Sequence, residues 1–522
     1  MQSIHEMKRS ETPETPVLLF DCELRDGRTE RWATHKATVE GESYTARVLK
    51  HNAIELRAGA EDGVDAAGRM VVTLDNVDGY VSQLDRTVGL KGAKLRVRLA
   101  FVDVETGQAA TEPAAVFLGA ANPPEELAES FARLSFVSRL GLQRVALPQL
   151  RIQPRCPWAF PTTAAQREEA VTGGAEGKYS PFHGCGYSPD VAEGTGTSGP
   201  EGPFTQCGYT KTECAARGMY KADEQGRPTA RFAGFQFLPP SVAVRGHGDK
   251  DWALSEAADG RAKSNDVAPL VYGTNWYQPP VVFARSDGNL THCEVLLGVG
   301  EMSAVHKVVA NGIEIPLGET GKEMGATGWY NVISLGGRNG GFNLNFTNGT
   351  GEPLGDPHGG MAVLAVAVPN RVSNGQSIPK IEVLADGMKL ERFGVNGDAL
   401  GSAFTRNPSW VLLDVLRRSG WKLAELDVAS FAVAAAHCDE LIEVRDAFGN
   451  ARMSPKFEVN LALLKRKSAA EVARGIRTSA TLMLTFGADG RLRLTAEDTI
   501  ARQQGAKPEE TNSTDTVAGG WP

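Results

Sequence analysis

The chain has 522 residues, of which 41% are hydrophobic and 23% are charged, the composition of an ordinary folded protein. This length exceeds what one hydrophobic core supports and predicts roughly three to four domains. The net charge of −8 argues against a protein that grips DNA phosphates, because such binding requires a basic surface.

No targeting or membrane segment is apparent in the sequence. The polar start, MQSIHEMKRSETPETP, lacks the apolar region of a secretory signal. The longest apolar run, residues 361–368, is too short to cross a bilayer. An odd number of cysteines, seven, does not suggest a disulfide framework. We therefore expect a soluble protein made in the cytoplasm.

Changes in composition divide the chain into six predicted parts. A glycine-rich stretch with few aliphatic residues separates two blocks with β-strand patterning, and a mixed helical and β block follows. The parts are a flexible arm (1–16), a β-barrel or sandwich (17–150), a cysteine segment (151–240), a β-rich region (241–400), an α+β region (401–503) and a flexible tail (504–522).

The strand predictions rest on alternation and on turn residues. In the stretch AKLRVRLAFVDV, one face is predicted to carry Leu95, Val97, Leu99 and Phe101 and the other Lys94, Arg96 and Arg98, which indicates a half-buried strand. In the β-rich region, Asp287-Gly288 is expected to form a turn between two strands.

The α+β region carries clear helix signals. Asn407 is a suitable N-cap before Pro408, and Gly420 is expected to end the helix. A second helix is predicted at about 427–438, and a third begins at a capping box that opens with Ser468. A hairpin is expected to follow this third helix.

Four cysteines fall within the cysteine segment: Cys156, Cys185, Cys207 and Cys214. Their spacing matches neither the two close pairs of standard zinc modules nor a ferredoxin run. We favour a metal or cluster site, because nine glycines between residues 171 and 205 leave too little apolar surface to offset the ordering entropy. Unconnected thiols and disulfides are the alternatives. His183 could ligate zinc, although a solvent-exposed loop position explains it better.

Aromatic residues follow the cysteines closely. Trp158, Tyr187 and Tyr209 each lie within two residues of a cysteine, and the stretch RFAGFQFLPP at 231–240 closes the segment. These residues could cover a metal site and limit its contact with water. They could equally form a small core that attaches the segment to the β scaffold.

Other residues of possible chemical interest are better explained by structure. Cys22, Cys293 and Cys438 have apolar neighbours and are expected to be buried. His306 is expected in a strand. The stretch GTGTSG at 194–199 follows no strand and precedes proline, so it is not a dinucleotide site. We expect the protein not to be an enzyme.

Several stretches resemble a known family. CPWAFP, CGYSPD, CGYTKTEC and RFAGFQFLPPS are similar to the tail-tip proteins of long-tailed phages that hold an iron–sulfur cluster on four cysteines, of which the lambda minor tail protein L is the type. LGVGEMSAVHKVVANGIEIP, NPSWVLLDVLRRSGW and FAVAAAHCDELI resemble the N-terminal hub portion of the lambda tail-tip protein J. The resemblance covers residues from about 20 to 500.

The resemblance implies a fold and a cofactor. The expected fold class is mainly β with an α+β C-terminal part, in which tail-tube-like β-barrel domains carry a cysteine-liganded insertion. Cys156, Cys185, Cys207 and Cys214 would be the ligands of a [4Fe–4S] cluster, with zinc as the alternative.

The resemblance also implies a virion structural function at the tail tip. A homotrimer would close the distal end of the tail tube, adapt its sixfold symmetry to a threefold tip and form the DNA exit channel without specific DNA binding. The implied partners are the distal tail protein, the C-terminus of the tape-measure protein and other tail-tip or receptor-binding proteins. The alternatives are an iron–sulfur redox or sensor protein and a tail-associated cell-wall-binding or hydrolytic module.

Overall fold

A computed structural model describes most of the chain. The described residues are 14–52, 68–138, 145–172, 185–219, 231–236, 265–315, 323–336, 358–369 and 378–497, except 104, 287–289, 325–328, 446–447 and 488, with a few isolated positions. Most of the predicted arm, the tail, the turn at 287–288 and His183 lie outside these residues. No helix within the described ranges is long and apolar enough to cross a membrane.

The first ten strands form one large, mostly antiparallel sheet. They are β1 (Thr15–Glu23), β2 (Thr29–Ala33), β3 (Ala37–Val39), β4 (Glu42–Ala46), β5 (Val48–His51), β6 (Arg69–Asp75), β7 (Lys94–Val102), β8 (Ala114–Ala121), β9 (Glu126–Leu127) and β10 (Phe131–Ser138). Their order is β3-β4-β2-β1-β7-β8-β10-β6-β5, with β9 beside β10, and β2 and β4 are parallel. Helix α1 (Tyr80–Thr87) connects β6 to β7.

The sequence pattern explains this sheet, but its predicted closure is not observed. In β7, Leu95, Val97 and Phe101 are buried as expected, whereas Leu99, which follows a register shift between Val97 and Arg98, is only half-buried. Both faces of β1 are covered, since Phe20 and Leu19 belong to cores on opposite sides. The end strands β3 and β5 do not pair within the described residues, so the sheet is open there. A barrel requires such pairing, and these two end strands span only 3 and 4 residues.

The cysteine segment contains little regular structure. Strand β11 (Ala146–Leu147) precedes it, and α2 (Ala164–Thr172) and α3 (Lys211–Ala216) are its described helices. The glycine-rich composition accounts for this irregularity, because a segment with few aliphatic residues cannot build the apolar face that stabilises a helix or strand.

Two sheets packed face to face form the middle of the molecule. Their strands and those adjoining them are β12 (Leu270–Tyr272), β13 (Thr274–Tyr277), β14 (Val281–Ser286), β15 (Leu290–Val299), β16 (Met302–Ala310), β17 (Ile313–Ile315), β18 (Glu323–Met324), β19 (Trp329–Leu335), β20 (Met361–Pro369), β21 (Ile381–Phe393) and β22 (Ala399–Phe404). One sheet, here the β20 sheet, has the order β14-β15-β20-β19-β18. The other, the β21 sheet, has the order β13-β21-β16-β17, with β22 beside β21.

Strand β20 is the centre of this arrangement. All nine of its residues are buried, which explains why the sequence is continuously apolar there rather than alternating. Leu364 and Val366 face the β21 sheet, whereas Met361 and Val363 face the core shared with the cysteine segment. The β20 sheet is therefore the surface on which the cysteine segment packs.

The last part of the chain is α+β, as the sequence predicts. It contains α4 (Pro408–Arg418), α5 (Val428–Cys438), α6 (Ala469–Ser479), β23 (Leu441–Arg445), β24 (Ala451–Pro455), β25 (Leu461–Leu463), β26 (Lys467–Ser468), β27 (Leu482–Phe486) and β28 (Leu492–Ala496). The Asn407 side chain accepts a hydrogen bond from the Ser409 amide, and the Ser468 hydroxyl accepts one from Glu471, so both N-caps are confirmed. Strands β27 and β28 pair as the expected hairpin.

Strand pairs also join distant parts of the chain. Strand β12 pairs with β25, and β11 pairs with β26. The C-terminal region therefore pairs both with the strand that precedes the cysteine segment and with a strand beside the middle sheets. The predicted domain boundaries stay predictions.

Candidate metal centre

The four cysteines of the cysteine segment meet in one pocket. Cys156 follows an irregular stretch, and its amide donates a hydrogen bond of 2.9 Å to the Tyr209 carbonyl. The Cys185 amide donates one of 2.6 Å to the Ala159 carbonyl. These bonds join three separate stretches of chain. Together with aromatic and arginine side chains, the four thiols line what we call the four-cysteine pocket: Cys156, Cys185, Cys207, Cys214, Trp158, Phe160, Tyr187, Tyr209, Thr210, Arg217, Arg231 and Phe232.

Helix α3 positions the last two cysteines. Thr210 is its N-cap, and the Thr210 hydroxyl accepts a hydrogen bond of 3.2 Å from the Glu213 amide. The Glu213 carboxylate reaches back to the Gly208 amide at 3.2 Å. This reciprocal capping fixes the turn between Cys207 and the helix, so that buried Cys214 projects from the helix into the pocket.

The pocket disfavours charged thiolates in the absence of a bound cation. Burial, with a smaller contribution from the nearby Cys185 thiol, raises the pKa of Cys156 to about 12. Burial and the Cys185 thiol likewise raise the pKa of Cys214 to about 12. The pKa of Cys214 reflects all three of the other cysteines, and the pKa of Cys156 reflects Cys185 and Cys207, so the thiols of the pocket are electrostatically coupled.

Backbone N–H groups point at the sulfur atoms. Hydrogen bonds from the Ala233 and Trp158 amides oppose the rise in the Cys156 pKa, because they favour the thiolate. The Tyr209 amide donates to the Cys207 sulfur at 3.3 Å. Such N–H···S contacts stabilise thiolate ligands of metal centres.

Tyr187 organises the wall of the pocket. Its side chain is fully buried, and its hydroxyl donates to the Thr197 carbonyl at 2.9 Å and accepts from the Phe204 amide at 2.9 Å. Its ring stacks on Phe160 with centroids 4.9 Å apart. The loop at 194–199 therefore wraps around Tyr187, where Gly196 has a φ of 127° and a Cβ would meet the ring at 2.8 Å.

Two arginines flank the thiols. Arg217 donates from Nε and Nη2 to the Gln206 carbonyl at 3.0 and 2.8 Å, and it lies 4.7 Å over the Phe204 ring. Arg231, with 7% of its surface exposed, donates from Nη1 to the Thr195 hydroxyl at 3.0 Å and from Nη2 to the Arg217 carbonyl at 2.6 Å. Its charge works against the rise in the Cys214 pKa.

The pocket is attached to the β20 sheet. The Trp158 indole N–H donates to the Gly359 carbonyl at 2.7 Å, and the Gly359 amide donates to the Phe232 carbonyl at 2.8 Å. Cys156 and Trp158 also pack against a core that includes Met361. The sequence left two roles open for the aromatic residues, covering the pocket and attaching the segment to the β scaffold. In the structure they line the pocket and also attach it to the β20 sheet.

Sequence reasoning missed the polar residues around the pocket. Arg231 lies in a stretch that attracts attention for its aromatic residues. Buried His358 and Glu294, whose Nε2 and Oε2 atoms are 3.1 Å apart, lie beneath the segment, where the His358 ring is 5.2 Å from Phe235. Nothing in the sequence distinguishes this histidine, because its partner is 64 residues away.

The other cysteine and histidine predictions are confirmed where they can be examined. Cys22, Cys293 and Cys438 are fully buried, and His306 lies in β16, where its Nε2 is 2.8 Å from an Asp386 oxygen. None of the seven cysteines, all of which lie among the described residues, is in a disulfide, so the disulfide alternative is wrong for this structure. Across the described ranges, no group of three or more His, Cys, Asp and Glu side chains could hold a single metal ion as it stands.

The fold and the pocket define a mainly β protein that carries four thiols in one pocket against its β20 sheet. No protein-family model matches the sequence, and no curated protein matches it. Among solved structures, the chain is similar to a chain of "Virion of native gene transfer agent (GTA) particle", with 16% identity, a TM-score of 0.24 and coverage of 31% of this chain and 52% of that chain. The match thus spans about half of that chain's length, and at this TM-score it carries no argument about function.

Proposed function

We propose that the chain is a virion structural protein, the tail-tip hub of a long-tailed phage or a related particle. The observation that carries the proposal is the convergence of Cys156, Cys185, Cys207 and Cys214 on one pocket. These are the four residues that the resemblance to the iron–sulfur tail-tip proteins implies as ligands. The mainly β scaffold beneath the pocket agrees with that family's architecture.

The bound group that suits the pocket best is a [4Fe–4S] cluster. Four cysteine thiolates are the usual ligand set of such clusters. A zinc ion, which would hold each sulfur at about 2.3 Å, is the alternative. A cluster of several iron and sulfide atoms joins thiolates that lie farther apart.

The residues of the pocket fit a group with net negative charge. Four thiolates outweigh the positive charge of a cluster core, and the Arg217 and Arg231 guanidinium groups at the pocket compensate for this excess. The amides near Cys156 and Cys207 supply further positive dipoles. When bound, a cluster would supply cross-links between three stretches of chain that share little core. The binding free energy would then contribute to folding, as in other small metal domains.

The function that follows is mechanical rather than catalytic. In the proposed hub, three copies surround a channel at the distal end of the tail tube, and the cysteine segment stays fixed to the β20 sheet while the particle assembles. The tube, the tape-measure protein and the receptor-binding proteins are the proposed partners. The net charge of −8 is compatible with DNA passing without tight binding.

Anaerobic purification tests the cofactor. We expect brown protein with about four iron and four sulfide per chain, the content of one [4Fe–4S] cluster. Cys214→Ala should lose most of this content, whereas the matched control Cys22→Ala, whose cysteine is buried in the N-terminal sheet, should retain it. Colourless wild-type protein containing zinc would contradict the cluster, and equal losses in both variants would contradict the assignment of the ligands.

Electron microscopy tests the hub separately. Purified protein should form rings with threefold symmetry and a central opening, and its mass in solution should be three times 55.8 kDa. A monomer at micromolar concentration with a full cluster would contradict the hub and favour the redox or sensor alternative. A reversible reduction potential would not distinguish the two functions, so the assembly state is the deciding measurement.

A further inference from the structure

Arg231 has a hydrogen-bond donor that no described residue uses. Its Nη1 and Nη2 atoms donate to the Thr195 hydroxyl and the Arg217 carbonyl. Its Nε is buried and, within the described part of the chain, has no acceptor. An unsatisfied charged donor in such a site is costly. A bound group with an acceptor atom would remove that cost.

The surroundings of Arg231 define what this acceptor could be. The side chain lines the four-cysteine pocket, 5.8 Å from the centre of the Tyr187 ring. Its own carbonyl lies 4.0 Å from the Cys156 sulfur. The side chain and backbone of this one residue therefore both border the pocket, where sulfur atoms are the abundant potential acceptors.

We propose that Arg231 is a positioning residue for the sulfur-bound group, with its Nε–H donating a hydrogen bond to a thiolate or inorganic sulfide of that group. This inference rests on the proposed cofactor site. The two Nη bonds hold the guanidinium plane in place, so the Nε–H is oriented before the group binds. The hydrogen bond and the positive charge both stabilise electron density on the sulfur and retain the group.

Arg167 provides a matched control outside the pocket. It lies in the same segment and is as buried as Arg231, since each has 7% of its surface exposed. Its Nε and Nη2 atoms donate to the Asp190 carboxylate at 2.7 and 2.9 Å, away from the residues that line the four-cysteine pocket. Replacement of Arg167 by lysine keeps the charge and removes only contacts within the segment. Replacement of Arg231 by lysine keeps the charge and removes the donor proposed to reach the sulfur.

The test compares wild type, Arg231→Lys, Arg231→Gln and Arg167→Lys, each purified anaerobically. Release of the bound metal to an excess of chelator should be about tenfold or more faster in both Arg231 variants than in wild type, the usual effect of losing a group that supports a metal ligand. If the metal is iron in a cluster, the reduction potential of Arg231→Gln should also become more negative, because a positive charge that stabilised the reduced state is gone. Arg167→Lys should resemble wild type in its release rate.

The outcomes separate this inference from the cofactor proposal. Wild-type protein that holds zinc contradicts the cluster, yet its zinc release still tests Arg231. Equal release rates in wild type and both Arg231 variants would refute the role of Arg231 while leaving the cluster intact. Equal acceleration in Arg231→Lys and Arg167→Lys would also refute it, because the effect would then be a general loosening of the segment. Wild-type protein that binds no metal overturns both.

Discussion

The metal-free pocket should contain neutral, poorly reactive thiols. Burial raises the pKa of Cys156 and Cys214 from 9.0 to about 12. Only the thiolate reacts with alkylating reagents. At neutral pH, a pKa higher by about 3 reduces the thiolate fraction by about 1,000-fold, because each unit of pKa changes this fraction tenfold. Folded metal-free protein should therefore alkylate at these two positions about 1,000-fold more slowly than an ordinary thiol.

Alkylation with iodoacetamide, followed by peptide mass spectrometry, measures this effect at each cysteine. Metal is removed with a chelator under reducing conditions, and the reaction is followed from pH 7 to 10 in folded and in denatured protein. The denatured thiols should react faster with rising pH and level off near pH 9, whereas the rates of Cys156 and Cys214 in folded protein should continue to rise tenfold per pH unit. Cys22 is the internal control, because burial in a different core also raises its pKa to about 12.

Two results would refute this reasoning. A plateau near pH 9 for Cys156 in folded protein would show that the pocket does not disfavour the thiolate. The same plateau near pH 9 for all three of Cys156, Cys214 and Cys22 would show that they react through global unfolding, and the pH profile would then report on stability rather than on the pocket.

Two further predictions concern backbone and capping. Gly218→Ala should lower the free energy of unfolding by about 3 kcal/mol and reduce the metal content, because the positive φ is strained for alanine and a Cβ would lie 2.9 Å from the Thr197 amide. Gly202→Ala is the control, since its φ is also positive but no atom lies within 4 Å of the added Cβ, and it should cost about 1 kcal/mol in the same urea titration. Asn407→Ala should lower the free energy of unfolding by about 2 kcal/mol, because it removes both the cap of α4 and a hydrogen bond to the Ala435 carbonyl. Ser468→Ala removes only a cap and should cost about 1 kcal/mol. Equal losses of stability in the two variants would contradict the contribution of the Asn407 bond to Ala435.

Local signals in the sequence predicted the C-terminal region well. A cap followed by proline at Asn407 and Pro408 determines a helix start through bonds between near neighbours, and the structure places α4 there. Alternation likewise predicts the buried side chains in the first half of β7, but burial stops alternating after the register shift between Val97 and Arg98. The open edge of the N-terminal sheet could not be predicted in this way, because closure depends on pairing between strands that are distant in sequence.

The candidate site, like the fold, could be predicted from local sequence only in part. The four cysteines could be selected from composition, since thiols concentrated in a glycine-rich segment require an explanation. Their common pocket depends on bonds such as the Cys156 amide to the Tyr209 carbonyl, which spans 53 residues. The contact of Trp158 with Gly359 spans 201 residues, so no local pattern in the sequence indicates it.

These long-range contacts explain why the proposed metal centre would matter to the scaffold as well as to the segment. Trp158 and Phe232 connect the pocket to Gly359, immediately before the fully buried β20. Movement of the pocket wall therefore strains the entry to the central strand of the β20 sheet. A bound group that fixes Cys156 relative to Cys214 would also fix Trp158 and Phe232. Without such a group, only weak contacts determine the distance between Cys156 and Cys214. Metal loss should consequently loosen this edge of the β20 sheet before it affects the N-terminal sheet, where Phe20 and Cys22 lie in a separate core.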